Sequence, residues 1–150
     1  MERVPVVLLV EDDPGDVLMV TEALERSLHP PKLHVAGDGQ EAIDFLRGAG
    51  PDGQGRMNRP DLILLDLNMP RLDGRETLAA LKADERLRAV PVVVFTTSDA
   101  ETDVLASYQR HASAYVTKPL DLDALESVVD QIGRFYLDVS SLLPPEQRCA

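Results

Sequence analysis

Five apolar residues lead directly into three carboxylates near the beginning of the chain, in the stretch Val6-Val7-Leu8-Leu9-Val10-Glu11-Asp12-Asp13. An apolar run of this length is typical of a buried strand. Asp66 stands in the same relation to the apolar run Leu62-Ile63-Leu64-Leu65. The carboxyl ends of the strands in an open parallel sheet share one edge, and ligands bind there. The sequence therefore predicts that Glu11, Asp12 and Asp66 meet at one edge of a sheet.

Two further strand ends add a hydroxyl and an ammonium group to the same edge. Thr96 closes the run Val92-Val93-Val94-Phe95, and Lys118 follows Ala114-Tyr115-Val116-Thr117. Taken singly, the carboxylates could be helix caps and the other residues polar strand ends or turns. A cluster of carboxylates needs a counter-charge, because two unit charges about 4 Å apart interact by roughly 4 kcal/mol at an effective dielectric near 20. The combination indicates a site that binds a divalent cation and receives a phosphoryl group on Asp66.

Strand-like and helix-like segments alternate five times along the chain. Strands are predicted at residues 6–10, 33–36, 62–65, 92–95 and 114–116. Five helices are predicted between and after these strands. The first begins at Pro14 and carries Val17, Val20, Leu24 and Leu28 on one face, and the second, third and fourth lie at about 40–47, around Leu78 and Leu81, and at 101–111. The last follows a capping Asp121 and carries Leu122, Leu125, Val128, Val129 and Ile132. This alternation and the nearly all-apolar strands favour an α/β fold with a parallel sheet and helices on both faces.

Composition narrows the class of protein. The 150 residues are 44% apolar and 27% charged, which is typical of one globular domain. The net charge of −11 disfavours binding to nucleic acid or to anionic membranes. No segment approaches the roughly 20 apolar residues that span a bilayer, and no signal peptide is recognisable. The single cysteine, Cys149, cannot form an internal disulfide. We therefore expect a cytoplasmic protein that uses neither nucleic acid nor membrane as a partner.

One glycine-rich stretch, Gly48-Ala49-Gly50-Pro51-Asp52-Gly53, formally matches the dinucleotide-binding pattern GxGxxG. That pattern binds pyrophosphate only where it follows a strand and opens a helix. Here it follows a predicted helix, precedes a strand and contains a proline. We interpret residues 48–59 as a flexible insertion without a nucleotide site.

The motifs, in their order, resemble the receiver domains of two-component response regulators. The matching pieces are Glu11-Asp12, Asp66-Leu67-Asn68-Met69-Pro70 with Asp73-Gly74, Thr96-Thr97-Ser98, and Tyr115-Val116-Thr117-Lys118-Pro119. The resemblance extends from about Val6 to Phe135 and implies a flavodoxin-like five-stranded sheet in the order 2-1-3-4-5. The long loop before the third strand and Phe135-Tyr136 resemble the single-domain regulators of bacterial phytochrome kinases. We accordingly expect a receiver domain at 1–137 and a C-terminal extension at 138–150 without a separate output domain.

The resemblance assigns a role to each residue of the metal site. Asp66 would accept a phosphoryl group from a sensor histidine kinase. Asp12 and Asp66 would ligate Mg²⁺ directly, Glu11 through water, and Asn68 through its backbone carbonyl. Hard oxygen ligands of this kind suit Mg²⁺.

The resemblance also implies a switch. Lys118 would pair with Asp66 and then with the phosphoryl oxygens, to which Thr96 would donate its hydroxyl. Tyr115 would change rotamer together with Thr96 and alter the surface around the fourth helix, the fifth strand and the fifth helix. Such a protein is not an enzyme beyond its own phosphorylation and dephosphorylation. A phosphatase of the DxD type would need an aspartate in place of Asn68, and a phosphorylation-independent adaptor would not need the complete site.

Apolar residues continue beyond the end of the receiver motif, at Phe135, Tyr136, Val139, Leu142 and Leu143, before Pro144-Pro145. Contiguous apolar side chains of this kind usually mark an interaction surface. We expect a homodimer built through the C-terminal helix and tail, and the alternative is that the tail folds back on its own sheet.

Overall fold

The computed structural model describes residues 4–48, 59–69 and 71–144 and consists of alternating strands and helices. The strands are β1 (Val6–Val10), β2 (Lys32–Ala36), β3 (Leu62–Leu65), β4 (Val92–Thr96) and β5 (Ala114–Thr117). The helices are α1 (Pro14–Glu25), α2 (Gly39–Arg47), α3 (Gly74–Ala83), α4 (Glu101–Gln109) and α5 (Leu122–Gly133), and a π-helical segment (Arg134–Val139) follows. The sheet is parallel, with the order β2-β1-β3-β4-β5. The predicted flavodoxin-like fold is confirmed.

Two apolar layers cover the two faces of this sheet. On β3, Ile63 and Leu65 point to the layer formed with α2 and α3, and Leu62 and Leu64 point to the layer formed with α1 and α5. All four side chains are fully buried. Full burial stabilises such a side chain by roughly 1.5–3 kcal/mol relative to exposure. A strand that is covered on both faces must be apolar at every position, which is why the central strands read as continuous apolar runs.

Aspartates cap four of the five helices. The side chains of these residues accept hydrogen bonds from backbone amides in the first turn of α1, α2, α3 and α5, and they are Asp13, Asp38, Asp73 and Asp121. Asp13 is therefore the capping member of the acidic triplet, and the predicted cap at Asp121 is confirmed. Helix α4 differs, because its N-cap is Ala100 and no side chain caps it. Only Ser107 of α4 is buried.

Some predicted helix boundaries and faces were wrong. Helix α1 ends at Glu25, so Leu28 lies outside it and is exposed. Leu122 lies on α5 as predicted, but it occupies the first position of that helix and is exposed. Helix α4 ends at Gln109, two residues early, and His111 then takes the left-handed conformation with φ 68°. The spacing of apolar residues along the sequence does not show at which residue a helix stops packing against the sheet.

The helices are short relative to a bilayer. The longest, α1 and α5, have 12 residues each. At 1.5 Å per residue such a helix is about 18 Å long, and the hydrocarbon core of a membrane is about 30 Å thick. Within the described ranges, no helix has the length and apolarity that crossing a membrane requires.

The C-terminal segment folds back, in part, on its own domain. Leu137 is buried in the layer of α1 and α5, and Leu143 packs against the opposite layer. The Arg59 guanidinium donates to the carbonyl oxygen of Pro144. Phe135 and Val139 remain 54% and 73% exposed. The predicted domain boundary at 137/138 falls inside the π-helical segment and stays a prediction.

Some residues named in the sequence analysis lie outside the described residues. They are Pro145, Cys149 and residues 49–58 of the insertion.

Candidate functional site

Three carboxylates meet at the carboxyl edge of the sheet. Glu11, Asp12 and Asp66 each offer one oxygen, and these oxygens lie within 4.8 Å of one another. The pairing of β1 with β3 explains the arrangement, because it sets Val10 opposite Leu65 immediately before the acidic residues. The backbone amide of Asp66 donates to the carbonyl oxygen of Val10 at 3.0 Å. The structure thus brings together the carboxylates that the sequence singled out.

Lys118 is the cation of this cluster. Its Nζ lies 2.5 Å from Glu11 Oε2, 2.8 Å from Asp16 Oδ2 and 3.7 Å from Asp66 Oδ2, and its side chain is only 5% exposed. Sequence analysis missed Asp16. It lies in the first turn of α1, and an acidic residue there has an ordinary explanation in the helix dipole. Lys118 is therefore shared among three carboxylates and is closest to the two that precede or begin α1.

Burial affects the pKa values of Glu11 and Lys118 in this cluster. Desolvation raises the pKa of Glu11 from its usual 4.5 to about 7, although the hydrogen bond from Lys118 opposes this effect. For Lys118, burial alone lowers the pKa, but the hydrogen bonds to Asp16 and Glu11 outweigh burial and hold the pKa above its usual value. Lys118 stays charged, and a cation close to Glu11 would favour the ionised form of this carboxyl group.

Asn68 and Thr96 form the side of the site that lies beyond Asp66. The backbone amide of Asn68 donates to Asp66 Oδ1 at 3.3 Å, and its side-chain amide approaches Thr96 Oγ1 at 3.5 Å. Thr96 is fully buried at the end of β4. An open cleft of about 380 Å³ lies beside these residues, and its lining comprises Asp12, Leu67, Asn68, Met69, Asp73 and Arg75. The cleft leaves the acidic cluster accessible from solvent on the side of Asp12.

Tyr115 belongs to a hydrogen-bonded chain beside the site. Its hydroxyl donates to the carbonyl oxygen of Ser98 at 2.7 Å, and the hydroxyl of Ser98 donates to Asp103 Oδ2 at 2.7 Å. Arg75 binds Asp103 with two hydrogen bonds of 3.0 and 2.9 Å. Sequence analysis missed the Arg75–Asp103 pair, because 28 residues separate its members and no local pattern connects them.

The first residue of α3 lies directly against the backbone of Asp66. A Cβ added to Gly74 would come 2.1 Å from the carbonyl oxygen of Asp66 and 2.6 Å from Leu67 Cα. The backbone amide of Gly74 also donates to the carbonyl oxygen of Leu67 at 3.0 Å. Only glycine permits this approach. The position of Asp66 and the start of α3 are thus coupled through direct backbone contact.

The donor set fits a small, hard divalent cation. Carboxylate oxygens are the protein ligands that Mg²⁺ prefers, and the three that converge here follow two neighbouring strands, Glu11 and Asp12 after β1 and Asp66 after β3. Asn68 lies at the same edge, where its carbonyl is available as a further oxygen donor. The described residues of the cluster include no nitrogen or sulfur ligand that would favour a softer metal.

This fold and this edge of the sheet define a receiver domain. The profile of the response regulator receiver domain family matches residues 7–130. The chain belongs to that family, and the resemblance found in its sequence motifs is confirmed.

The chain is similar to two cyanobacterial response regulators, Rcp1 and RcpA. The response regulator Rcp1 of Synechocystis sp. strain ATCC 27184 / PCC 6803 / Kazusa is 44% identical over 137 residues, which cover 91% of this chain and 92% of Rcp1. The crystal structure of the phosphorylated cyanobacterial phytochrome response regulator RcpA is similar with a TM-score of 0.88 at 41% identity, covering 96% of this chain and 100% of RcpA. The Mn²⁺-bound form of Rcp1 has a TM-score of 0.87 at 42% identity, covering 93% and 99% of the two chains.

Proposed function

We propose that the protein accepts a phosphoryl group from a sensor histidine kinase on Asp66, in the presence of Mg²⁺. The observation that carries this proposal is the convergence of Glu11, Asp12 and Asp66 beside the buried ammonium of Lys118. The family supports it, since receiver domains belong to two-component signalling. The transfer breaks the bond between phosphorus and the kinase nitrogen and forms a bond from a carboxylate oxygen of Asp66 to phosphorus.

Four residues would hold the metal ion in this proposal. Asp12 and Asp66 would ligate it directly, Glu11 would act through a water molecule, and Asn68 would supply its backbone carbonyl. When bound, Mg²⁺ neutralises negative charge that develops on the phosphoryl oxygens. The existence of a Mn²⁺-bound form of Rcp1 supports the binding of a divalent cation by a relative of this chain.

The remaining groups position and neutralise the phosphoryl group. Phosphoryl transfer is mainly a matter of positioning and of stabilising charge on the equatorial oxygens. Lys118 lies 3.7 Å from Asp66 and reaches these oxygens with a small movement of its flexible side chain. The buried hydroxyl of Thr96, which accepts a hydrogen bond from the side-chain amide of Asn68, donates to them. Each group acts where the new charge appears.

The output surface of the proposed switch comprises α4, β5 and α5. Tyr115 on β5 is tied to Ser98 in the loop that follows Thr96, so a movement of Thr96 is passed to α4. Helix α4 has a single buried residue, which makes it the helix that moves most readily. The description of RcpA as a phytochrome response regulator supports a phytochrome histidine kinase as the partner. We also propose that this exchange takes place in the cytoplasm.

Direct labelling tests this function. Incubation with acetyl phosphate or with a phosphorylated kinase, in Mg²⁺, should add one phosphoryl group that hydroxylamine removes, because hydroxylamine cleaves acyl phosphates. A chelator should prevent the labelling. Absence of the label with both donors in Mg²⁺ would contradict the proposal.

Mg²⁺ should stabilise the folded protein. The three carboxylates repel one another until a cation neutralises them, and a ligand that binds only the native state stabilises it by RT ln(1 + [L]/Kd). At ten times Kd this is about 1.4 kcal/mol, or a rise in melting temperature of about 3–5 °C. Asp12→Ala should raise the stability of the metal-free protein and remove the effect of Mg²⁺. Glu85→Ala, which removes an exposed carboxylate after α3, is the matched control. A parent protein whose melting temperature does not change with Mg²⁺ would contradict the metal site.

The affinity for Mg²⁺ should depend on pH. Burial raises the pKa of Glu11 to about 7, so a proton competes with the cation below that pH. The apparent affinity should fall about tenfold from pH 8 to pH 6. The raised pKa also means that the folded state binds this proton more tightly than the unfolded state. The metal-free protein should therefore lose part of its stability as the pH rises from 4.5 to about 7. Calorimetric titration with Mg²⁺ and melts across this range measure both trends.

We also propose that the protein forms a homodimer through the C-terminal helix and tail. Phe135 and Val139 are exposed four residues apart on the π-helical segment, and a twofold axis is the usual arrangement for such self-complementary contact. The double substitution Phe135→Lys and Val139→Lys should shift a dimer to monomer in light scattering at high micromolar concentration. Leu120→Lys, at a fully exposed position before α5, should leave the mass unchanged. A monomeric parent, phosphorylated or not, would contradict the proposal.

A further inference from the structure

Arg75 lies beside the functional site and pairs with two carboxylates, Asp103 at 2.9 Å and Asp73 at 3.7 Å. Its guanidinium makes two hydrogen bonds to the carboxylate of Asp103 on α4. The same side chain lines the open cleft of the functional site together with Asp12 and Asn68. Arg75 is about one third exposed, so water and ligands in the cleft can reach it. The residue is therefore paired but accessible from the side of the acidic cluster.

The backbone keeps Arg75 close to Asp66. The preceding residue, Gly74, lies so near the Asp66 carbonyl oxygen that a Cβ would come within 2.1 Å of it. Arg75 follows in the first turn of α3, whose capping residue Asp73 also lines the cleft. An arginine side chain is long and flexible enough to exchange one partner for another without a movement of its helix.

The charges around the cleft leave a role for a second cation. Among the described residues that line the cleft, Arg75 is the single cation. Lys118 is already shared by Glu11, Asp16 and Asp66. Phosphorylation converts the single negative charge of the Asp66 carboxylate into the double charge of an acyl phosphate. The site thus gains one negative charge with three accessible oxygens.

We propose, on the basis of the phosphorylation of Asp66 proposed above, that Arg75 is a second cationic ligand of the phosphoryl group and that Asp103 holds it in reserve. The planar guanidinium binds two phosphate oxygens as readily as two carboxylate oxygens. On phosphorylation Arg75 leaves Asp103 and turns into the cleft. The hydrogen bond that Asp103 accepts from Ser98 then remains as the principal polar tie of α4 to the loop after β4.

This exchange also explains why α4 responds to the site. Helix α4 has one buried residue and no capping side chain, and the Asp103 carboxylate ties its first turn to Arg75 and to Ser98. The salt bridge lowers the pKa of Asp103, as expected for a carboxylate that is held ionised by its partner. Removal of Arg75 from this carboxylate loosens the first turn of α4. The loosened turn is the one that carries the connection through Ser98 to Tyr115.

The test compares Arg75→Gln with Asp103→Asn. Both variants break the same salt bridge, but only Arg75→Gln removes the cation. We expect Asp103→Asn to raise the rate constant of phosphorylation by acetyl phosphate in Mg²⁺ and Arg75→Gln to lower it, each by about fivefold, as for a partly exposed ion pair. The lifetime of the phosphorylated protein should lengthen in Asp103→Asn and shorten in Arg75→Gln. Varying the donor concentration separates the binding of acetyl phosphate from the transfer step.

Charge-matched controls accompany each variant. Glu101→Gln removes another exposed carboxylate from the first turn of α4, and Arg86→Gln removes an exposed arginine after α3. Both should behave like the parent. Arg75→Lys keeps the charge without the two-pronged geometry and should fall between the parent and Arg75→Gln. This variant also provides the comparison if Arg75→Gln fails to fold.

The outcomes separate the two proposals. A parent protein that takes up no phosphate contradicts phosphorylation of Asp66 itself. A parent that is phosphorylated, with Arg75→Gln and Asp103→Asn changed in the same direction, shows that the pair only holds α4 in place and overturns the role of Arg75. The role is likewise overturned if neither variant differs from its control.

Discussion

Asp66→Asn should abolish phosphorylation by acetyl phosphate and by a phosphorylated histidine kinase. The amide has neither the negative charge nor the nucleophilic oxygen of the carboxylate, and no neighbouring carboxylate has the same place relative to Asn68 and Lys118. Phosphate incorporation, measured by mass spectrometry of the intact protein before and after hydroxylamine, should fall to background. The same amount of label on another residue of the variant would refute the assignment.

A control distinguishes loss of the acceptor from loss of the fold. Asp13→Asn changes the neighbouring acidic triplet in the same way, but Asp13 caps α1 and lies outside the cluster. Asparagine is as good an N-cap as aspartate, so this variant should be phosphorylated normally. Asp66→Asn should also melt no lower than the metal-free parent, because it removes one of three repelling carboxylates.

Gly74→Ala should cause a large loss of stability. The added Cβ would lie 2.1 Å from the Asp66 carbonyl oxygen and 2.6 Å from Leu67 Cα, and both are backbone atoms that cannot move aside as a flexible side chain would. Overpacking of this kind costs about 3 kcal/mol, which corresponds to a fall in melting temperature of about 6–12 °C. Thermal or urea unfolding measures the change.

The same substitution should slow phosphorylation, because α3 or the backbone of Asp66 must shift to relieve the contact. A displacement of about 1 Å at a reacting group can reduce a rate by about 100-fold. Gly15→Ala is the matched control, since its Cβ would meet only the Asp13 carboxylate, at 3.7 Å. Gly15 lies in α1, where alanine is favoured over glycine by about 0.5–1 kcal/mol. A Gly74→Ala protein as stable as Gly15→Ala would contradict the close backbone contact.

The order of elements and the acidic cluster were predictable because they depend on short stretches of sequence. A strand that is covered on both faces must be apolar throughout, so β1, β3 and β4 could be recognised from their apolar runs. Strands in a parallel sheet end at a common edge, so the residues that follow them had to lie near one another. Glu11, Asp12 and Asp66 could therefore be brought together without any knowledge of side-chain contacts.

Other features depend on contacts between distant parts of the chain. Asp16 had an ordinary explanation as an acidic residue in the first turn of a helix, and only the position of Lys118 shows that it binds this ammonium. The end of α1 at Glu25 and the exposure of Leu28 depend on where the helix stops packing against the sheet. The apolar tail had two possible destinations, and the packing of Leu137 and Leu143 shows that part of it covers its own domain.

The class of fold and the carboxylates at one edge of the sheet follow from local patterns in the sequence, because periodicity and strand ends are local properties. The pairing of the charges depends on tertiary contacts. Lys118 lies closer to Glu11 and Asp16 than to Asp66, and Arg75 binds Asp103 across 28 residues of chain. A long charged side chain can reach several partners from one backbone position, and its choice depends on the packing of all the elements around it.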